Sequence, residues 1–190
     1  MLTTILAYVL IALFSIGEGR LRKGQQAQTF EAGSSDQQST RRLGMAYGIS
    51  IIGLLLAPLL NYFAIGNIAS ALIGLIGLAV SIGGMALRVW ANRVLGAFYT
   101  RTLRVLDNQT VVQQGPYRFI RHPGYLGIIL MWVGASLAAV NWIIIILIVV
   151  IMGLAYHYRI QTEETMLLEN LGQPYAEYKS HTWKLLPFIY

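Results

Sequence analysis

Two short segments of this chain gather residue types that bind charged ligands and assist group transfer. The first is Gly115-Pro116-Tyr117-Arg118-Phe119-Ile120-Arg121-His122-Pro123-Gly124-Tyr125-Leu126-Gly127, and the second is Arg159-Ile160-Gln161-Thr162-Glu163-Glu164. Guanidinium groups grip carboxylates through paired hydrogen bonds, carboxylates accept from ammonium groups and diols, and imidazole donates or accepts near neutral pH. Each residue also has a plainer use. Gly115-Pro116 is a turn signal, Pro123 suits the first position of a helix, Arg121 can reach toward phosphates, and Tyr117 and Tyr125 can anchor at a membrane interface. Arg159 and Glu163 stand four apart, a spacing that on an exposed helix gives an ion pair worth about 0.3 kcal/mol. His122 is less easily dismissed, because Pro123 fixes the backbone that carries it. His157 and His181 have no carboxylate or histidine at metal-ligand spacing, so no metal site is expected.

The elements that must position these residues follow from composition. Of 190 residues, 56% are hydrophobic and 12% charged, too few charges to coat a soluble surface. Lys, Arg, Asp and Glu all avoid residues 1–17, 43–87 and 122–158. At about 20 apolar residues per crossing, these stretches hold one, two and two spans. The fold class expected is an all-α integral membrane protein: five transmembrane helices, a tight C-terminal helical hairpin and a cofactor pocket at the cytoplasmic face. One membrane domain covers 1–190, with three spans in 1–90 and the chemistry in 91–190. The absence of cysteine excludes disulfide scaffolds and zinc-thiolate sites.

With the N-terminus outside, all 14 basic residues fall on the cytoplasmic side with the C-terminus. The net charge of +6 then serves orientation and contact with anionic membrane lipids. No aromatic-basic surface motif accompanies it, so nucleic acid is not an expected partner. The first apolar run reads as an anchor and not a signal peptide, because its positive charges follow it. Residues 18–42 read as a flexible loop. The second span, 43–64, holds Pro58; the third, 70–90, carries Gly74, Gly77, Ser81, Gly83 and Gly84 at spacings that let helices approach closely. A hairpin is expected at 102–106 and 110–113. Spans four (125–140) and five (143–158) should turn back through two residues, with the fifth helix continuing to Leu171 before Gly172 and Pro174 end it. Such a hairpin brings the two chemical segments side by side.

Taken jointly, GPYRFIRHPGYLG, the following Glu163-Glu164, LGQPYAEY and LPFI resemble the isoprenylcysteine carboxyl methyltransferase family over roughly residues 95–189. Phospholipid N-methyltransferases and some sterol reductases share parts of this pattern. The resemblance implies S-adenosylmethionine as cofactor, bound by Gly115, Tyr117, His122, Pro123, Tyr125, Glu163 and Glu164. It implies a lipid or prenylated small-molecule or protein substrate entering from the bilayer. Arg159 and Arg121 are the candidates for holding an anionic acceptor, since a carboxylate is already ionised at neutral pH and needs positioning more than a base. An amine acceptor would instead need Glu163 or Glu164 to take its proton. The sequence carries no signal of oligomeric state.

Overall fold

The computed structural model describes residues 1–21, 36–98, 103 and 109–187. Six helices account for most of them: α1 (Leu2–Leu21), α2 (Ser39–Tyr62), α3 (Ala71–Leu95), α4 (Pro123–Ala138), α5 (Trp142–Leu171) and α6 (Gln173–Ser180). Single turns of 3-10 helix stand at Gly96–Phe98 and Gly115–Arg118. Helices α2, α3 and α5 are long and apolar enough to cross a membrane, and α4 and the apolar part of α1 are shorter. Large side chains such as Ile5, Leu55, Leu75 and Leu154 stay exposed around the bundle, as lipid-facing positions would.

The helices associate as two pairs, α3 with α4 and α2 with α5, and α1 lies against α3 and α4. Along α3 the buried positions Gly77, Ser81 and Gly84 recur every three or four residues, and α4 answers with Gly127 and Gly134. A Cβ on Gly84 would stand 2.5 Å from the Gly127 carbonyl oxygen, and one on Gly77 would stand 2.6 Å from that of Gly134. Only glycine permits this approach. Ser81 then donates its hydroxyl to the Met131 carbonyl at 3.1 Å. Gly74 faces Thr3 of α1, whereas a Cβ on Gly83 would meet nothing within 4 Å. The expected small-residue face therefore loses Gly83, which points away from it.

At the uncharged end of the bundle two turns close on each other. Asn67 bridges Asn141 in antiparallel fashion, Ile68 N–H donates to the Val140 carbonyl at 2.8 Å, and Trp142 N–H donates to Gly66 at 3.0 Å. Asn141, fully buried, accepts from the N–H groups of Ile143 and Ile144 and donates to Asn61 and Ile65, which caps α5 from inside the protein. The connection from α4 to α5 is three residues, Ala139 to Asn141, instead of two. Moreover, α4 finds its main partner in α3 and not in α5.

Other expectations shift at the charged end. α1 runs on to Leu21, and Asp36 already begins the turn that leads into α2, so the loop read over 18–42 is shortened from both sides. α3 likewise extends to Leu95, because the polar residues after Trp90 still complete its last turn. Residues 110–113 are irregular, and 102 and 104–106, the other arm of the expected hairpin, lie outside the described residues. Pro58 is accommodated within α2 near its end.

Candidate active site

Helix α5 carries one buried stripe from the bundle into its charged end: Ile148, Met152, Ala155, Tyr156, Arg159 and Ile160. Spacings of three and four place Glu163 and Glu164 on the continuation of that stripe. Opposite them, Pro123 opens α4 and the extended residues before it bring His122 to the helix start. A backbone zipper holds this entry in place. Ile120 bridges Trp183 in parallel, Arg121 N–H donates to the Trp183 carbonyl at 2.8 Å, and His122 N–H donates to Lys184 at 3.2 Å. Tyr178 of α6 adds a hydroxyl bond to the Tyr117 carbonyl at 2.8 Å.

His122 sits between the two glutamates, its Nε2 3.3 Å from Glu164 Oε1 and its Nδ1 3.9 Å from Glu163 Oε2. The carboxylates are nevertheless in different surroundings. Glu164 is buried and meets Arg121 Nε at 2.8 Å and Lys179 Nζ at 2.9 Å, so its oxygens are committed to protein cations. Glu163 is more open and accepts the Tyr125 hydroxyl at 2.6 Å. Tyr125 stacks flat beside His122 at 5.5 Å and accepts from Arg159 Nε at 3.3 Å.

Both arginines expected to hold an acceptor make framework contacts. Arg121 donates to carbonyls of Lys179 and Thr182 as well as to Glu164. Arg159, only 3% exposed, reaches across to the start of α2, where its Nη1 meets Asp36 Oδ1 at 2.9 Å, Ser39 Oγ at 2.7 Å and Thr40 Oγ1 at 3.0 Å. Burial alone would raise the Asp36 pKa. The Thr40 N–H, the Thr40 and Ser39 hydroxyls and the Arg159 charge outweigh it and hold the carboxyl below its ordinary value of 3.8.

A cavity of about 520 Å³ lies between the helix pairs, a size that suits small-molecule ligands. Tyr117, Arg121, His122, Tyr125, Arg159 and Glu163 border it; Gly115, Pro123 and Glu164 do not. Gly115 instead makes a turn at φ +57°, against Val94 and Trp90. At its other end the wall becomes apolar, with Phe14, Ile51, Ile128, Met131 and Trp132.

Arg88, Tyr175 and Trp132 also border the cavity and were given no site role by the sequence. Arg88 reaches the cavity over the start of α4, where a Cβ on Gly124 would come within 2.9 Å of its Nη1, and it pairs with Glu18 of α1 at 2.8 Å. The signal was available, because Arg88 continues the 77, 81, 84 stripe of α3 by one more step of four. Tyr175 of α6 is buried with its hydroxyl lacking a partner among the described residues, and Trp132 Nε1 is in the same condition. Burial first, then the nearby charges of Glu164 and Glu163, push the Tyr175 pKa up, so this hydroxyl keeps its proton and remains a donor.

The sequence pattern of the isoprenylcysteine carboxyl methyltransferase family matches residues 75–169, half of the chain, from α3 through the charged end of α5. The chain belongs to the isoprenylcysteine carboxyl methyltransferase family. Among curated proteins it is similar to the rice (Oryza sativa subsp. indica) protein named "Probable protein-S-isoprenylcysteine O-methyltransferase", 30% identical over 116 residues, 60% of this chain and 61% of that one. The Tribolium castaneum protein-S-isoprenylcysteine O-methyltransferase is also 30% identical over 116 residues, covering 60% of this chain and 41% of its own. The Saccharomyces cerevisiae enzyme of the same name is 26% identical over 125 residues, covering 65% and 52%. The chain thus spans between about two fifths and three fifths of these relatives' length. A solved structure of a eukaryotic intramembrane Ras methyltransferase, isoprenylcysteine carboxyl methyltransferase, aligns over 98% of this chain and 68% of that one, with a TM-score of 0.78 and 25% identity. This member of the family is an all-helical integral membrane protein.

Proposed function

We propose that this chain transfers a methyl group from S-adenosylmethionine to the carboxylate of an isoprenylcysteine-type lipid. The observation that carries the reading is a single cavity that joins a polar end, bordered by His122, Tyr125, Glu163 and Tyr175, to an apolar end bordered by Ile51, Ile128 and Met131. A small polar cofactor and a lipid acceptor need such a shared space, because the reacting atoms must come within about 3 to 3.5 Å in line.

The residues present fit the cofactor. Its amino acid head, ribose diol and adenine call for an acceptor, a donor and an aromatic face, and the polar end offers Glu163, the Tyr175 hydroxyl, unpartnered among the described residues, and the stacked His122 and Tyr125 rings. When bound, the cofactor supplies an electrophilic methyl on a sulfonium. Glu164 fixes the His122 ring and ties α5 to α6, and Pro123 and Gly115 shape the backbone around that ring. Tyr117 walls the cavity and anchors α6.

At the acceptor, the chain's own task is to position a carboxylate that is ionised well below neutral pH. Arg88 is a candidate for this, since it borders the cavity beside the start of α4, where it also pairs with Glu18. Arg159 and Arg121 border the same space and hold the wall against which the carboxylate is aligned. We also propose five membrane-crossing helices, the N-terminus outside, and the polar end of the cavity facing the cytoplasm.

The test is methyl transfer by purified protein in nanodiscs. Labelled cofactor and S-farnesylcysteine should give base-labile label, released as methanol. Label that is base-stable and found in phosphatidylethanolamine would assign the chain to amine methylation instead. Failure to bind the cofactor in several lipids would reject the enzyme reading altogether.

A further inference from the structure

The apolar end of the cavity contains something a hydrocarbon does not need. Trp132 is 4% exposed and borders the cavity, and its indole N–H has no hydrogen-bond partner among the described residues. Buried donors are almost always paired, and leaving one unpaired disfavours that state. The neighbouring wall is poor in acceptors: Ile51, Ile128 and Met131 present only carbon and a thioether, and the Tyr47 hydroxyl is engaged with that of Tyr156. The donor sits at the inner end of an aromatic ladder. His122 stacks with Tyr125 at 5.5 Å, Tyr125 meets Tyr156 at 5.0 Å, the Tyr156 and Tyr47 hydroxyls touch, and Tyr47 packs on Trp132 at 5.9 Å. Along α4, Trp132 lies seven residues beyond Tyr125, which is about 10 Å at about 1.5 Å per residue.

We propose that Trp132 is a specificity residue that reads a hydrogen-bond-accepting oxygen in the lipid tail of the acceptor, at a point about 10 Å along α4 from Tyr125 at the polar end of the cavity. The inference rests on the acceptor-lipid reading above and narrows it. The preferred acceptor is an isoprenylcysteine-type carboxylate lipid whose isoprenoid tail carries an ether or carbonyl oxygen. An unbroken isoprenoid chain fills the same space and leaves the indole N–H unpaired.

The experiment compares two radiolabelled probes bound to the full chain in nanodiscs. One is S-farnesylcysteine; the other is its analogue in which an ether oxygen replaces the tail methylene about 10 Å from the carboxylate. Burying an unpaired ether oxygen weakens binding by about tenfold relative to the methylene. In the wild type the ether probe should bind at least as tightly as the hydrocarbon probe. In Trp132→Phe, which keeps a ring and removes the N–H, the ether probe should lose about fivefold or more relative to the hydrocarbon probe. Weaker binding of the ether probe to the wild type overturns the proposal without any variant being folded, and so does an equal ratio of the two affinities in wild type and variant. Cofactor binding is measured separately in the same preparation. Its absence removes the methyltransferase reading and leaves the comparison of lipid probes readable.

Discussion

The two main helix pairs are joined by opposite means. Between α3 and α4 the backbones touch, through Gly77, Ser81 and Gly84 against Gly127 and Gly134. Between α2 and α5 side chains hold the helices apart: Tyr47 meets Tyr156, and Arg159 reaches the Asp36, Ser39 and Thr40 cluster. A seam of glycines leaves no room for a ligand, whereas a seam of large side chains leaves space beside them. The cavity accordingly borrows α3 and α4 as a rigid wall and opens toward α2 and α5.

The largest expected effect is on the polar seam. Arg159→Leu strands the buried Asp36 carboxylate and should lower stability by about 3 to 5 kcal/mol, read as thermal unfolding in detergent. A change below about 1 kcal/mol would mean that this seam is not held by charge. Next comes the glycine seam: Gly84→Val sets carbon against the Gly127 carbonyl and the Met131 N–H and should cost about 3 kcal/mol by the same assay. If it is tolerated, the backbones are not in contact and the contrast between seams fails.

At the polar end of the cavity, Glu163→Gln and His122→Ala should each weaken S-adenosylmethionine binding about ten- to hundredfold, since a charged hydrogen bond contributes about 1.5 to 3 kcal/mol. Equilibrium binding of labelled cofactor measures this, and unaltered affinity in both variants would remove them from the site. Of the two seams, only the polar one should respond to acid. The Asp36 pKa is lowered in the folded protein, so its stabilisation is complete above the ordinary value of 3.8 and fades as pH falls below that through the folded value. Melting temperature followed from pH 6 to pH 3 should drop more in the wild type than in Asp36→Asn, and parallel curves would refute the assignment. The smallest effect is a control on the other seam. Gly83→Ala, one residue from Gly84 but facing outward, should leave stability within about 0.5 kcal/mol.

Much of this arrangement was legible in the sequence because it is local. The glycine face of α3 shows as a period of three and four, and only Gly83, which breaks that period, was misplaced. The grouping of His122, Tyr125 and Glu163 could be read from residue types at the two ends of a helical turn-back. The actual packing of α4 on α3 could not, since charge-free stretches define spans without saying which spans touch. The Arg159 clamp joins residues 123 positions apart, and no local pattern announces such a pairing. Without it Arg159 looked available for a ligand. Arg88 was passed over because it was counted only among the basic residues that orient the chain, when the stripe it completes continues into the cavity.

The zipper between residues 119–122 and 183–184 also sets an order of events during synthesis. The segment that carries His122 leaves the ribosome while its backbone partners, about sixty residues on, have yet to be translated. At about 5 to 20 residues per second this delay is several seconds, long enough for α4 to insert and settle on α3 first. The nascent protein therefore passes through an interval in which the bundle is built but the entry to α4 is unpaired. Truncation before Trp183 would hold the chain in that unfinished form, a target for membrane quality control even though every helix of the bundle is present.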